Sequence, residues 1–466
     1  MISYDQFYLM VMICFFFLLI GINLMDLVHS IRKILNRNHL HHWWIWFIFT
    51  KLLPCLLVFL PFFTSWITIS TLIFISITCI LPVGVKIQLN RKKILLPKSK
   101  QTKRGKRIYI GTLQSRIIPK RFYLSETDLK RHVFITGLTG MGKSNFVKHL
   151  LYQLTKRYSS VSFLLIEFKG EYKEIQKRIP HITILRPGEN LKINIFNPID
   201  EDPKIYAEKL MNLFTECQII TFQEEYSAQM EKIFVELLYA VCSDPKRRSW
   251  EGFDYYIQQY MKQQNTKYYN LHNTLSGIEN RIRRLKNGPL RMIFGKEHDF
   301  NLSKIIQNNV IIDLSSIIQK GGTKNDAVFF SNIIFNHVWL FNLKKGPSTE
   351  INHFTLIEDS QILLSQKIAK YLTTTTYLED FALLLRGTGE CLITINTRPT
   401  ISEDVMANAG VIVSFQLSYD QNIMGRLLSL NENKYFYLTL LDIGECLIKT
   451  NSIKTPLMVK IPLIKN

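Results

Sequence analysis

Residues 137–144 read Gly137-Leu138-Thr139-Gly140-Met141-Gly142-Lys143-Ser144, and no other stretch constrains the fold as much. Before them, His132-Val133-Phe134-Ile135-Thr136 is a short apolar run of the kind that makes a buried strand. After them, Phe146, Val147, Leu150, Leu151 and Leu154 recur at helical spacing. Strand, glycine-spaced loop and helix together form the context in which G-x-x-x-x-G-K-[ST] holds phosphate. The glycines let backbone N–H groups face the phosphates, and the helix N-terminus adds its dipole. In this reading Gly137, Leu138, Thr139, Gly140, Met141, Gly142, Lys143, Ser144 and Asn145 line the cradle. Lys143 bridges the β- and γ-phosphates and Ser144 ligates Mg²⁺, so the expected ligand is a nucleotide, ATP, with its metal ion.

Further β-rich runs follow at 161–168, 310–314, 354–359, 391–397 and 411–417. With the loop strand they predict an α/β fold with a mainly parallel sheet covered by helices. Chemistry then collects at the carboxyl ends of the strands. The run 354–359 ends in Glu358 and Asp359, which supply what a nucleotide–metal site needs: Glu358 to hold Mg²⁺, Asp359 to orient the attacking water. The run 161–168 ends in Glu167-Phe168 ahead of Lys169-Gly170-Glu171-Tyr172, either a turn beside the nucleotide or a solvated turn. The run 391–397 ends in Asn396-Thr397-Arg398-Pro399, whose polar groups either sense the γ-phosphate or cap a turn.

Residues 200–288 carry no strand pattern. Met230, Ile233, Phe234, Leu237, Leu238 and Val241 form one helical stripe, and Leu271, Leu275, Ile278, Ile282 and Leu285 form another. Both are core faces of a helical insertion. Arg281, Arg283, Arg284 and Lys286 ride on the second helix, as a solvated face or as contacts to DNA phosphates.

The head of the chain obeys different physics. Residues 7–25 contain no charge, long enough to cross a bilayer. No basic residue precedes them and no small-residue cleavage site follows, unlike a signal peptide. A second apolar stretch, 43–85, is interrupted by Lys51, Pro54, Pro61 and Pro82. Read as a hairpin (43–63 and 66–81) it gives three spans; read as one tilted helix (52–81) it gives two. Arg32, Lys33 and Arg37 lie between the first two apolar stretches, and ten Lys and Arg follow the last between 86 and 107. Three spans put both clusters in the cytoplasm, as the positive-inside rule asks, and both arrangements leave the bulk of the chain there. Residues 86–131 hold 15 Lys and Arg against Glu126 and Asp128, a net +13 out of +21 for the whole chain. This collar suits anionic headgroups, at about 1 kcal/mol per charge, or a polyanion such as DNA. The seven cysteines are scattered without a CxxC pair, which argues against a disulfide framework or a zinc site.

These pieces in this order resemble the HerA-type ATPases, with the related coupling proteins and FtsK-like motors of the RecA/ASCE class. The matching stretches lie within residues 109–441 and just before: "IYIGTL", "LKRHVFITGLTGMGKS", "LLIEFKGEY", "ILRPGENLKINIFNPI", "NRIRRL", "LIEDSQ" and "LITINTRPTISEDVMANAGVIVSFQL". The resemblance implies that Glu358-Asp359 is the second acidic motif, that "EFKGEY" is the strand-two signature, and that six copies form a ring that hydrolyses ATP and pulls DNA through its pore. An apolar anchor before such a domain is similar to the coupling proteins of conjugation. Three positions depart from the family: Asp359, where glutamate is usual; Thr397, where a glutamine usually precedes Arg-Pro; and Gln416, where arginine is often found. Arg386 and Arg426 are the remaining candidates for a trans-acting arginine.

The organisation expected is a transmembrane anchor (1–85), a basic juxtamembrane segment (86–130), a first part of the ATPase core (131–199), a helical insertion (200–290) and a second part of the core (291–466). The expected protein is a multi-pass membrane ATPase with its catalytic part in the cytoplasm, a homo-hexamer pumping DNA beside transfer or secretion machinery. Two other readings stay open: a motor that moves protein in a secretion or pilus system, and a membrane scaffold that binds nucleotide with little hydrolysis.

Overall fold

The computed structural model describes residues 106–464, apart from 114–119, 180, 200, 221–227, 265–267, 269, 296–299 and 364–383. The apolar head and most of the basic collar lie outside the described residues. Among those described, no helix is long and apolar enough to cross a membrane.

Eleven strands form one sheet: β1 (Arg107–Leu113), β2 (Lys120–Ser125), β3 (Val133–Thr136), β4 (Ser162–Glu167), β5 (Ile182–Leu185), β6 (Asn309–Asp313), β7 (His353–Glu358), β8 (Glu390–Asn396), β9 (Val411–Ser414), β10 (Glu445–Thr450) and β11 (Ile453–Lys460). Their spatial order is β2-β1-β11-β10-β9-β3-β8-β7-β4-β6-β5. From β9 to β5 every pairing is parallel. From β2 to β9 every pairing is antiparallel. The parallel strands must be covered on both faces, and their sequences are accordingly continuous runs. All four residues of β3, all six of β7 and all seven of β8 are buried. The expectation of a mainly parallel sheet therefore holds. The antiparallel wing was not foreseen, because its strands pair the first and last described segments, far apart in sequence.

The helices that matter are α1 (Lys143–Arg157), α2 (Pro203–Glu216), α3 (Ala228–Ser243), α4 (Trp250–Gln264), α5 (Leu271–Lys286) and α6 (Lys324–Lys345). The apolar side of α1 (Phe146, Val147, Leu150, Leu151, Leu154) joins Ile135, Ile393 and Val413 of the sheet in one core. Helices α2 to α5 lie between β5 and β6 in the chain. Their two apolar stripes are buried as the periodicity demanded. Aromatic rings stitch this region together: Phe196 meets Trp250 edge-on at 4.8 Å, and Phe214 stacks on Phe329 of α6 at 4.9 Å. Such pairs add to the burial of their own area.

The basic residues of α5 are partly engaged inside the fold. Arg284 donates to Asp326 at 2.6 Å, and Asp326 also closes the capping box with Thr323 at the start of α6. Lys286 is buried and paired with Asp254 and Glu279. Two of the four charges thus brace the insertion, Lys286 buried and Arg284 still half exposed.

Candidate active site

Strand order decides the site. β8 lies between β3, which carries the glycine loop, and β7, which carries the acid pair; β4 lies on the far side of β7. Registers Thr136↔Asn396 and Glu358↔Ile395 bring the carboxyl ends of β3, β8 and β7 to one level.

The loop from Gly137 to Gly142 needs glycine for two different reasons. At Gly137 (φ 153°) an added Cβ would lie 2.5 Å from Cβ of Phe415, so β9 and the loop could not approach. Gly142 (φ 102°) caps α1 in a left-handed conformation that other residues rarely adopt. The Leu138 N–H donates to the Gln416 carbonyl at 2.8 Å, fixing the loop to the segment after β9. The Lys143 ammonium donates to the carbonyls of Gly137 (2.7 Å) and Leu138 (2.9 Å), which holds it across the loop mouth. Burial lowers its pKa, and Lys169 adds to that; Asp359, Glu358 and Glu171 oppose it.

Ser144 Oγ donates to Oε1 of Glu358 at 3.1 Å. Glu358 is buried, and burial pushes its carboxyl up to about 7, with Glu171, Glu167 and Asp359 adding repulsion. The Tyr172 hydroxyl lies close enough to perturb the carboxylate, yet neither it nor Oε2 of Glu358 is in hydrogen-bond geometry with a partner. A hydroxyl and a carboxylate with one free, buried oxygen beside a phosphate loop form a donor set that fits a hard divalent cation such as Mg²⁺.

Asp359 follows at φ 49°, an unusual conformation for a residue with a side chain. Its Oδ2 pairs with Lys169 at 2.8 Å and its Oδ1 accepts from Gln361 Nε2 at 3.2 Å. Glu167 explains how Lys169 gets there. Its buried carboxylate accepts the backbone N–H groups of Lys169, Gly170 and Glu171, folding the chain back toward β7. Burial raises the Glu167 pKa, the three N–H groups oppose that, and Asp313 adds to it. For Lys169, burial opposes the charge, but the bond and charge of Asp359 outweigh it, and its pKa is raised. The turn after β4 therefore reaches the acid pair through Lys169, whose side chain stays partly exposed.

At the end of β8, Thr397 Oγ1 accepts from Gln361 Nε2 at 3.2 Å. Arg398 stacks over the Tyr419 ring at 5.5 Å. The Gln416 side chain donates to the Thr439 carbonyl at 2.7 Å, a structural tie. Arg426 is exposed in the helix Gln421–Leu427, and the Arg386 side chain lies outside the described residues. Asn145, assigned to the cradle by sequence, turns its side chain to the C-terminal segment: Nδ2 donates to the Pro462 carbonyl at 3.0 Å, and Oδ1 accepts the Ile464 N–H at 2.9 Å. Sequence reading missed Lys169 and Gln361 as partners of Asp359. The signal was in "EFKGEY" and "LIEDSQ", both singled out, but their mutual contact is not local.

Residues 108–330 match the family described as the central domain of the helicase HerA. The chain is HerA-like over that central stretch, just under half of its length. It is 25% identical over 349 residues to a probable helicase of Methanocaldococcus jannaschii, a match covering 71% of this chain and 62% of that protein. The chain thus spans less than two thirds of that relative's length. Among solved structures it resembles VirB4 of Thermoanaerobacter pseudethanolicus (TM-score 0.59, 13% identity, 79% of this chain and 99% of that one). It also resembles the plasmid coupling protein TrwB, solved in complex with ADP and Mg²⁺ (TM-score 0.53, 12% identity, 79% of this chain and 97% of that one). At those identities the likeness establishes a shared fold, that of the coupling-type ATPases.

Proposed function

We propose that this HerA-like chain is an ATP-driven DNA translocase, anchored in the membrane by its apolar head, with the ATPase unit on the cytoplasmic side. The observation that carries the reading is the convergence of Lys143, Ser144, Glu358 and Asp359 at one end of the sheet, with Ser144 and Glu358 in direct contact. The nucleotide would be ATP with Mg²⁺, which withdraws charge from the phosphates when bound. Each side chain then has a task set by its place. Lys143, already aimed across the loop mouth, would exchange its carbonyl partners for phosphate oxygens. Ser144 and the ionised Glu358 would hold the cation. Asp359 accepts the hydrogen bond of the attacking water and aims it. Assembly into a homo-hexamer, DNA as substrate, and work beside transfer or secretion machinery complete the proposal, supported by the family resemblance and by the charge of +21.

The test is steady-state hydrolysis by the detergent-solubilised full chain, with and without duplex and single-stranded DNA, against a Lys143→Ala control. Stimulation of Lys143-dependent turnover by DNA is the expected result. Turnover indifferent to DNA would favour a motor that moves protein, and nucleotide binding without turnover would favour a scaffold.

A further inference from the structure

We propose that Gln361 is the positioning residue for Asp359, and that it links the acid strand to the end of β8. The inference rests on the ATPase reading above.

The Asp359 carboxylate is held by two donors from two different segments: Lys169 on Oδ2 at 2.8 Å and Gln361 on Oδ1 at 3.2 Å. They are not equivalent. The Lys169 side chain is 45% exposed, so water can replace it at modest cost. Gln361 is tied at both ends of its carboxamide. Nε2 also reaches Thr397 Oγ1 at 3.2 Å, and Oε1 accepts the Thr397 N–H at 3.4 Å. Its amide plane is therefore fixed by the end of β8, and the Asp359 oxygen takes its direction from that plane.

The backbone is arranged to allow this. The left-handed turn at Asp359 (φ 49°) sends the next two residues toward β8. Ser360 Oγ donates to Asn396 Oδ1 at 2.5 Å, and Gln361 then meets Thr397. These are the side-chain ties at that strand end: Asn396 Nδ2 is fully buried and has no hydrogen-bond partner. β8 touches both the loop strand and the acid strand. A displacement at Thr397 reaches Asp359 through one carboxamide. Gln361 bridges the two from the turn that follows β7.

A residue that aims a reacting group affects the chemical step more than the affinity, because small misplacements cost rate steeply. The full chain is assayed for ATP hydrolysis, with kcat and KM read separately and Mg²⁺-nucleotide affinity measured with a fluorescent ATP analogue. Gln361→Ala should lower kcat about tenfold or more with KM within about twofold of wild type. Gln361→Glu keeps the length but sets a carboxylate against Asp359, and should lower kcat at least as far; it also decides the matter if the alanine variant fails to fold. Adding Thr397→Gln to Gln361→Ala returns an amide to the same place and should recover kcat several-fold, which a loss of general stability would not. The proposal is overturned if kcat of both single variants stays within twofold of wild type, or if KM rises with kcat unchanged. Turnover that survives Lys143→Ala, or wild-type protein without turnover, overturns the ATPase reading and this proposal with it.

Discussion

Replacing Glu358 by glutamine should make the nucleotide-free protein more stable above neutral pH, although it removes a residue of the site. The carboxyl of Glu358 is raised from its ordinary 4.5 to about 7 by burial and by the repulsion of Glu171, Glu167 and Asp359. A carboxyl raised on folding favours the folded chain below its unfolded value, and that contribution is lost as pH climbs through the folded value. The window is therefore pH 4.5 to 7. A displacement of that size corresponds to about 3 kcal/mol, most of it lost between pH 5 and pH 8. Glutamine cannot ionise, keeps an Oε1 acceptor for Ser144, and offers an N–H toward the unpartnered Tyr172 hydroxyl. Pulse proteolysis in urea, on protein stripped of nucleotide and Mg²⁺, reads folded fraction at each pH. The stability of Glu358→Gln relative to wild type should rise by about 2–3 kcal/mol between pH 5 and pH 8. The same variant should bind nucleotide less tightly in the presence of Mg²⁺, the usual conflict between stability and function at a charged site. A difference between the two proteins that does not change with pH would refute the reasoning, as would a variant that loses ground at pH 8.

Two further outcomes follow from the same structure and sequence. Asn145→Ala removes both hydrogen bonds to the C-terminal segment, worth about 1–2 kcal/mol together, so the Ile464 amide should exchange with solvent roughly tenfold faster; unchanged exchange would show that the strand β11 alone holds the segment. For the anchor, a cysteine placed at Asn36 in a chain without its native cysteines should be shielded from an impermeant thiol reagent in intact cells, as three spans require; labelling there, with a cysteine at Gln101 protected, would establish two spans.

The sequence by itself determined whatever depends on near neighbours. The glycine loop between strand and helix was legible because backbone conformation and helix dipole are local properties. The buried parallel strands were legible because a strand covered on both faces has to be apolar throughout, as β3 and β8 are. The helical stripes of α3 and α5 were legible from their period. Glu358 and Asp359 were legible as a pair at a strand end. Tertiary structure alone decided what each polar group bonds to. It brought Lys169 to Asp359 and Thr397 to Gln361, each from a segment distant in the chain. It paired Arg284 with Asp326 and buried Lys286 beside Asp254. It also closed the sheet with an antiparallel wing from opposite ends of the described chain. The reason is physical: periodicity records which side of an element is dry, whereas a hydrogen bond depends on ångström distances fixed only when the whole sheet is in register.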